Sequence, residues 1–76
     1  MENKHISIIT HFAKTVSEFL NVCQKEKITA ECYVRDSHFE IEFDASNLKK
    51  ILETAESYGY ESIKNLITDH IVKMIS

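Results

Sequence analysis

Two short segments in the middle of the chain alternate apolar and polar residues, and they constrain the fold more than any other feature. The segments are ITAECYVR, residues 28–35, and HFEIEFD, residues 38–44. Strict alternation is typical of strands that bury only one face. With Asp36 and Ser37 as the loop tip, the two segments form an antiparallel β-hairpin.

The position of the loop tip also predicts the register of the hairpin. All apolar side chains of both strands then share one face, whereas a slip by one residue would turn one strand's apolar set to solvent. The predicted pairs are Val34 with Phe39, Cys32 with Ile41 and Ala30 with Phe43 on the apolar face, and Tyr33 with Glu40, Glu31 with Glu42 and Arg35 with His38 on the other.

Before the hairpin, apolar residues recur at three- and four-residue steps from His5 to about Glu26 and predict an amphipathic helix. Asn3 or Ser7 could cap its start, because either side chain can accept a bond from a free backbone N–H. Ile8 and Val22 lie outside the stripe and widen it. Phenylalanines of this helix and of the hairpin are expected to form the core between them; they are Phe12, Phe19, Phe39 and Phe43.

After the hairpin, two further helices are predicted. DASN reads as a helix entry with Asp44 or Ser46 as the cap, and the helix ends at Gly59, the residue that adopts a left-handed conformation most freely. A third helix follows with Glu61 or Ser62 near its cap. One long helix through Gly59 is the alternative. The prediction is an α+β fold in the order α-β-β-α-α, with the helices covering one face of the hairpin.

Length and composition fit one small domain. The chain has 76 residues, of which 43% are hydrophobic and 28% charged, with one glycine and no proline. This leaves almost no linker material, and a core this small is marginal. With a formal net charge of −3, the molecule as a whole does not attract polyanions such as nucleic acids.

The sequence also suggests where the chain resides. No apolar run approaches the roughly 20 residues of a membrane span, and the start MENKHIS does not resemble a secretory leader. Cys23 and Cys32 are the two cysteines and are expected to be free thiols of a reducing compartment. We therefore expect a cytoplasmic protein.

From Phe39 onward, the chain has an alternating strand, a helix with Leu48, Ile51 and Leu52, a turn at Gly59 and a second helix that begins ESIKNLI. This arrangement resembles the ribbon-helix-helix family of small dimeric DNA-binding regulators. The resemblance covers about half of the chain. It implies that two such strands pair across a dimer and enter the DNA major groove. It further implies a phosphate at the second helix's start, near Ser62, Ile63 and Lys64, with Lys49, Lys50 and Lys64 as the nucleic-acid contacts.

The outward charges of the strand favour a different function. Glu40 and Glu42 point outward, whereas DNA binding needs cations for phosphates and donors for guanine. Our first hypothesis is a non-enzymatic protein-binding module of the inhibitor or adaptor type. Its acidic hairpin face would engage a basic partner surface, possibly on nucleic-acid machinery, through Glu31, Tyr33, Glu40, Glu42 and Asp44. The alternative interpretation of these charges is that they only keep an exposed sheet face soluble. DNA binding is the second hypothesis, and a structural or assembly role is the third.

The third predicted helix suggests self-association. Three amphipathic helices have more apolar surface than one hairpin can cover, so a homodimer is expected. The residues predicted at its interface are Ile63, Ile67, His70, Ile71 and Met74. His70 is expected to be a core or interface histidine.

The sequence contains no recognisable catalytic or metal-binding motif. The histidines and cysteines show no H-x-x-x-H or C-x-x-C spacing, and one glycine cannot form a glycine-rich phosphate loop. We expect neither enzymatic activity nor a cofactor or metal site.

Overall fold

A computed structural model describes residues 4–75 of the chain. Its elements, in chain order, are β1 (His5–Thr10), α1 (Ala13–Lys25), β2 (Ala30–Val34), β3 (Phe39–Asp44), a short 3-10 turn (Ala45–Asn47), α2 (Leu48–Tyr58) and α3 (Glu61–Ile75). The α+β class is confirmed, and from Ala13 onward the major elements follow the predicted order.

The three strands form one antiparallel sheet in the order β1-β3-β2, so β3 is the central strand. The predicted hairpin register is confirmed at every pair of β2 with β3, including Cys32 opposite Ile41 and Glu31 opposite Glu42. Arg35 N donates to His38 O at 2.9 Å and closes the hairpin next to its loop.

The first strand corrects the sequence prediction. Residues 5–10 pair with β3 as a strand, with Ile6 opposite Phe43 and Ile8 opposite Ile41, and do not form the start of a helix. This pairing buries Ile8 on the same face as the apolar residues of the hairpin. Ser7 therefore lies in a strand and caps no helix, and Asn3, the other predicted cap, lies outside the described residues.

Helix α1 begins only at Ala13 and packs on the sheet through the predicted stripe. Phe19 is fully buried and lies 5.3 Å, ring centre to ring centre, from Phe43 of the central strand. Val22, expected outside the stripe, is also fully buried. Phe12 was predicted to be in the core, but it precedes the helix and is 69% exposed.

The turn between α2 and α3 has the predicted geometry. Gly59 adopts a left-handed conformation with φ of 73°, and Tyr60 N donates to Ala55 O at 2.9 Å across the helix end. The helix therefore ends at Gly59, and the single long helix is excluded. Upstream, Asp44 accepts a 2.9 Å bond from Ser46 N and caps the 3-10 turn that precedes α2.

The core lies between the sheet and the helices. Residues from all three helices and from β1 and β3 are buried in it, namely Ile8, Val16, Phe19, Val22, Cys23, Ile41, Phe43, Ile51, Ala55, Ile63 and Ile67. Two polar contacts connect the helices at its border: Ser62 Oγ donates to Glu18 at 2.7 Å, and Asn21 donates to the Tyr60 hydroxyl at 2.9 Å. The helices thus cover one face of the sheet and leave the other uncovered.

Candidate protein-binding face

The uncovered side of the sheet is the candidate site, and we call it the open face. Strand pairing and the alternation of side chains place residues of all three strands on it. They are His5, Ser7 and Ile9 of β1, Glu40, Glu42 and Asp44 of β3, and Glu31 and Tyr33 of β2, with Arg35 just beyond the strand. All five residues predicted to bind a partner lie on this one face.

Glu40 is the most firmly held carboxylate of the open face. Its Oε1 accepts from Arg35 Nη2 at 2.7 Å and from Arg35 Nε at 3.2 Å, and its Oε2 accepts from Ser7 Oγ at 2.9 Å. These bonds, the one from Arg35 foremost, lower the pKa of Glu40. The charge of Glu40 is therefore compensated within the chain.

Tyr33 contacts both the cation Arg35 and a second acid of this face, Glu31. Its hydroxyl donates to Glu31, and the Arg35 guanidinium lies over its ring, 5.0 Å from the centre. The hydrogen bond to Glu31 and the charge of that carboxylate raise the pKa of Tyr33. Tyr33 is therefore a neutral hydroxyl at pH 7, oriented by its neighbours.

Glu42 is the least compensated acid of the open face. It lies directly opposite Glu31 across the β2–β3 pair, and in the described part of the chain neither carboxylate forms an ion pair. Like charges directly opposite on adjacent strands destabilise a sheet. On the same strand, Asp44 is engaged by its bond from Ser46 N, which lowers its pKa. Among the described residues, the acids of the open face that form neither an ion pair nor a helix cap are therefore Glu31 and Glu42.

A groove of about 410 Å³ opens at one end of this face. Its lining includes Glu31, Glu42 and Asp44, together with Lys27 and Lys50. Lys50, one of the lysines implied by the ribbon-helix-helix resemblance, thus lies beside carboxylates that repel phosphate.

The other features implied by that resemblance are spread over the molecule. Lys49 is in the first turn of α2, and the end of that helix is nine residues further on, roughly 14 Å at 1.5 Å per residue. Lys64 lies beyond that end, in the first turn of α3. At the start of α3, Ile63 is fully buried and Ser62 is bonded to the Glu18 carboxylate. Both edges of β3 are paired within the chain, so this strand has no free edge to pair across a dimer.

The residues predicted at the dimer interface divide into two groups. Ile63 and Ile67 are 0% and 1% exposed, because they pack in the core of the single chain and have no surface left for a partner. His70 is half-buried. Ile71 and Met74 are exposed, as are the neighbouring Val72 and Ile75.

Neither cysteine is bonded to the other. Cys23 is buried in the core, which raises its pKa to about 11, and Cys32 is half-buried on β2. A thiol with so high a pKa stays protonated and is a poor nucleophile at neutral pH.

The sequence pattern does not predict the contribution of β1 to the open face. The pattern predicts a helix from His5 to about Glu26, so it gives no indication that His5, Ser7 and Ile9 lie beside the acids. The available signal was the alternation of Ile6, Ile8 and Thr10 with these three residues, which is a strand pattern.

Comparisons with protein-family models, with curated proteins and with solved structures find no match to this chain. Among the described residues, no helix has both the length and the apolar character needed to cross a bilayer. Function is therefore inferred from the geometry and charge of the open face.

Proposed function

We propose that this chain is a small, non-enzymatic protein-binding module of the inhibitor or adaptor type, whose open face engages a basic surface of a partner protein. The observation that carries the proposal is Glu31 opposite Glu42 on an uncovered sheet face. Scattered charges would suffice for solubility, whereas an adjacent like-charge pair costs folding free energy. A cation from a partner placed between the two carboxylates would relieve that cost.

The surroundings of the pair support recognition of a protein. Tyr33 adjoins it as an oriented, half-buried aromatic residue, and tyrosine is enriched among residues that dominate binding energy. Complementary charge would speed association and select the partner. Basic surfaces are characteristic of proteins that bind nucleic acids, so such proteins are the partner class we propose. Two free thiols fit the reducing cytoplasm as the setting.

The chain is further proposed to act as a homodimer. Its core is small, and apolar side chains remain on its surface, including Phe12, Ile71 and Met74 at 69%, 39% and 69% exposure. A second chain would cover part of this surface. The interface would include the exposed end of α3 and not its buried residues Ile63 and Ile67.

The proposed binding is tested by fluorescence anisotropy with a labelled peptide rich in lysine and arginine. We expect saturable binding that weakens with added salt, and about tenfold weaker binding to the Glu42→Lys variant. Glu56→Lys, on an exposed position of α2, makes the same charge change away from the open face and serves as the control. Equal affinity of both variants would refute the open face as the site. A labelled DNA duplex tests the alternative: tight binding to DNA, but not to the peptide, would favour the regulator hypothesis.

A further inference from the structure

Strand β1 has an outer edge that no element of the sheet covers. It pairs with β3 on one side and is the last strand of the sheet on the other. Ala45 N donates to Lys4 O at 2.7 Å, so the backbone N–H and C=O groups of Lys4 point towards β3. Because backbone groups alternate in an antiparallel pair, Ile6 and Ile8 also bond towards β3. The N–H and C=O groups of His5, Ser7 and Ile9 therefore point outward.

The outer edge of β1 lacks the protection that exposed strands usually carry. The strand HISIIT contains no lysine, acid or proline, and such residues are the common means of blocking edge pairing. The opposite edge differs, because β2 carries Glu31 and is followed by Arg35 and Asp36. The β1 edge is thus the one suited to accept another strand.

Apolar side chains flank the same edge. A groove of about 390 Å³ lies between β1 and α3. Its lining includes the apolar side chains of Ile8, Ile9 and Leu66 and, on the α3 side, the charged Asp69 and Lys73. Ile9 is 51% exposed, and Phe12, at the end of the strand, lines an adjoining groove with Leu66. The last turn of the helix beyond this groove exposes Val72, Met74 and Ile75 at 53%, 69% and 80%. A partner strand here would cover apolar surface as well as form backbone bonds.

We propose that the occupant of this edge is the β1 strand of a second copy of the chain. The two strands run antiparallel about a two-fold axis at Ser7 and join the sheets into one of six strands. This inference rests on the homodimer proposed above and assigns its interface. Most soluble oligomers are closed homo-oligomers in which one patch meets itself.

The strand is complementary to itself in this register. Ser7 lies opposite Ser7 of the second copy, and the outward N–H and C=O groups of His5 meet those of Ile9. On the inner face, Ile6 lies opposite Ile8 of the second copy, so the apolar layer continues across the junction. A slip by one residue would set outward backbone groups against inward ones and lose the bonds.

Electrostatics also favours this edge for two chains of net charge −3. In the joined sheet, the acids of β3 in the two copies are three strand spacings apart, roughly 14 Å. That separation exceeds the Debye length of about 8 Å at physiological salt. Pairing of β2 with itself would instead bring the two copies of Glu31 within roughly 5 to 8 Å.

The test combines native mass spectrometry with amide hydrogen exchange followed by NMR on the full chain. We expect a dimer in which the amides of Ser7 and Ile9 are protected. The outward amides of Cys32 and Val34 on the β2 edge are the internal reference and should exchange fast. A monomer at millimolar concentration, or a dimer in which Ser7 and Ile9 exchange as fast as Cys32 and Val34, would overturn the proposal.

Two proline variants sharpen the test. Ser7→Pro removes an outward N–H that bonds to nothing in the single chain, so the fold should persist. The dimer should lose two symmetry-related bonds and dissociate roughly thirtyfold more readily. Val34→Pro makes the matched change on the β2 edge and should leave the dimer intact. Ser7→Ala is the control: it removes the hydroxyl that bonds to Glu40 but keeps the backbone N–H, so the dimer should persist. If Ser7→Pro folds and forms as much dimer as the wild-type chain, the β1 edge is not the interface. The mass of the wild-type chain shows separately whether any homodimer forms.

Discussion

Arg35 compensates Glu40 and not Glu42, although both carboxylates project from the same side of β3. Its guanidinium donates to Oε1 of Glu40 at 2.7 and 3.2 Å, whereas Glu42 lies opposite the second acid, Glu31. The open face therefore has one neutralised acid beside an uncompensated pair. This asymmetry leads to separate predictions for the two glutamates.

Replacing Arg35 by methionine should release the charge of Glu40. We expect the pKa of Glu40 to rise towards its ordinary value of 4.5, because the hydrogen bond from Arg35 is the main cause of its lowering. Binding of the basic peptide should strengthen by roughly threefold to tenfold, since the face gains net negative charge. NMR titration of the Glu40 carboxyl carbon and peptide anisotropy measure the two effects. Arg35→Lys retains a cation as the control, and weaker binding by Arg35→Met would contradict the account.

Replacing Glu42 by lysine should stabilise the fold while weakening peptide binding. The change converts the like-charge pair with Glu31 into an opposite-charge pair, worth about 0.5 to 1 kcal/mol in the free energy of unfolding. Urea denaturation measures this gain. Glu42→Gln, which only removes the charge, should fall between the two. A loss of stability in Glu42→Lys would show that Glu42 makes favourable contacts in the folded chain.

Acid should destabilise the fold through Glu40 and Asp44. Their pKa values are lowered from 4.5 and 3.8 by bonds from Arg35 and from Ser46 N, respectively. The folded chain therefore binds fewer protons at these sites than the unfolded chain, so their stabilisation is complete above the ordinary values and is lost as pH falls through the lowered ones. Urea unfolding from pH 6 to pH 2 follows the loss. Asp44→Asn keeps the cap but does not titrate and should flatten the acid slope; an unchanged slope would exclude Asp44 as a contributor.

Substituting Gly59 should cost stability for a purely conformational reason. A Cβ at this position meets nothing within 4 Å, but φ of 73° is a left-handed conformation. We expect Gly59→Ala to lower the free energy of unfolding by about 1 kcal/mol. Gly59→Asn should cost less, because asparagine tolerates this conformation better. Urea denaturation of both variants measures the two losses in the free energy of unfolding. Equal losses would show that backbone strain at Gly59 is not the cause.

Much of the fold could be predicted because local patterns and long-range pairing agree. In the hairpin, the loop tip and both apolar faces specify one register, and the structure has that register. Gly59 marked a helix end because no other residue near it accepts a left-handed conformation at little cost.

The sequence does not decide between a helix and a strand for residues 5–10, because these residues fit both periods. Ile6, Ile9 and Phe12 fit a helical stripe that continues into α1, whereas Ile6 and Ile8 fit a strand. Pairing with the second edge of β3 decides between them, and that edge belongs to a segment some 30 residues away. The apolar Ile9 on the open face further obscured the alternation.

The sequence likewise does not predict which residues of α3 are buried and which are exposed. Ile63, Ile67, His70 and Met74 follow one stripe, and the same spacing serves a core or an interface equally well. Burial separates them because the first turns of the helix pack over the core, whereas its end extends past it.

NMR mapping of the lysine- and arginine-rich peptide on the wild-type chain shows whether a basic partner binds the open face. We expect salt-sensitive shift changes centred on Glu31, Tyr33 and Glu42, with α2 and the exposed side of α3 unaffected. Shift changes confined to the helices, or none at peptide concentrations in the millimolar range, would contradict it.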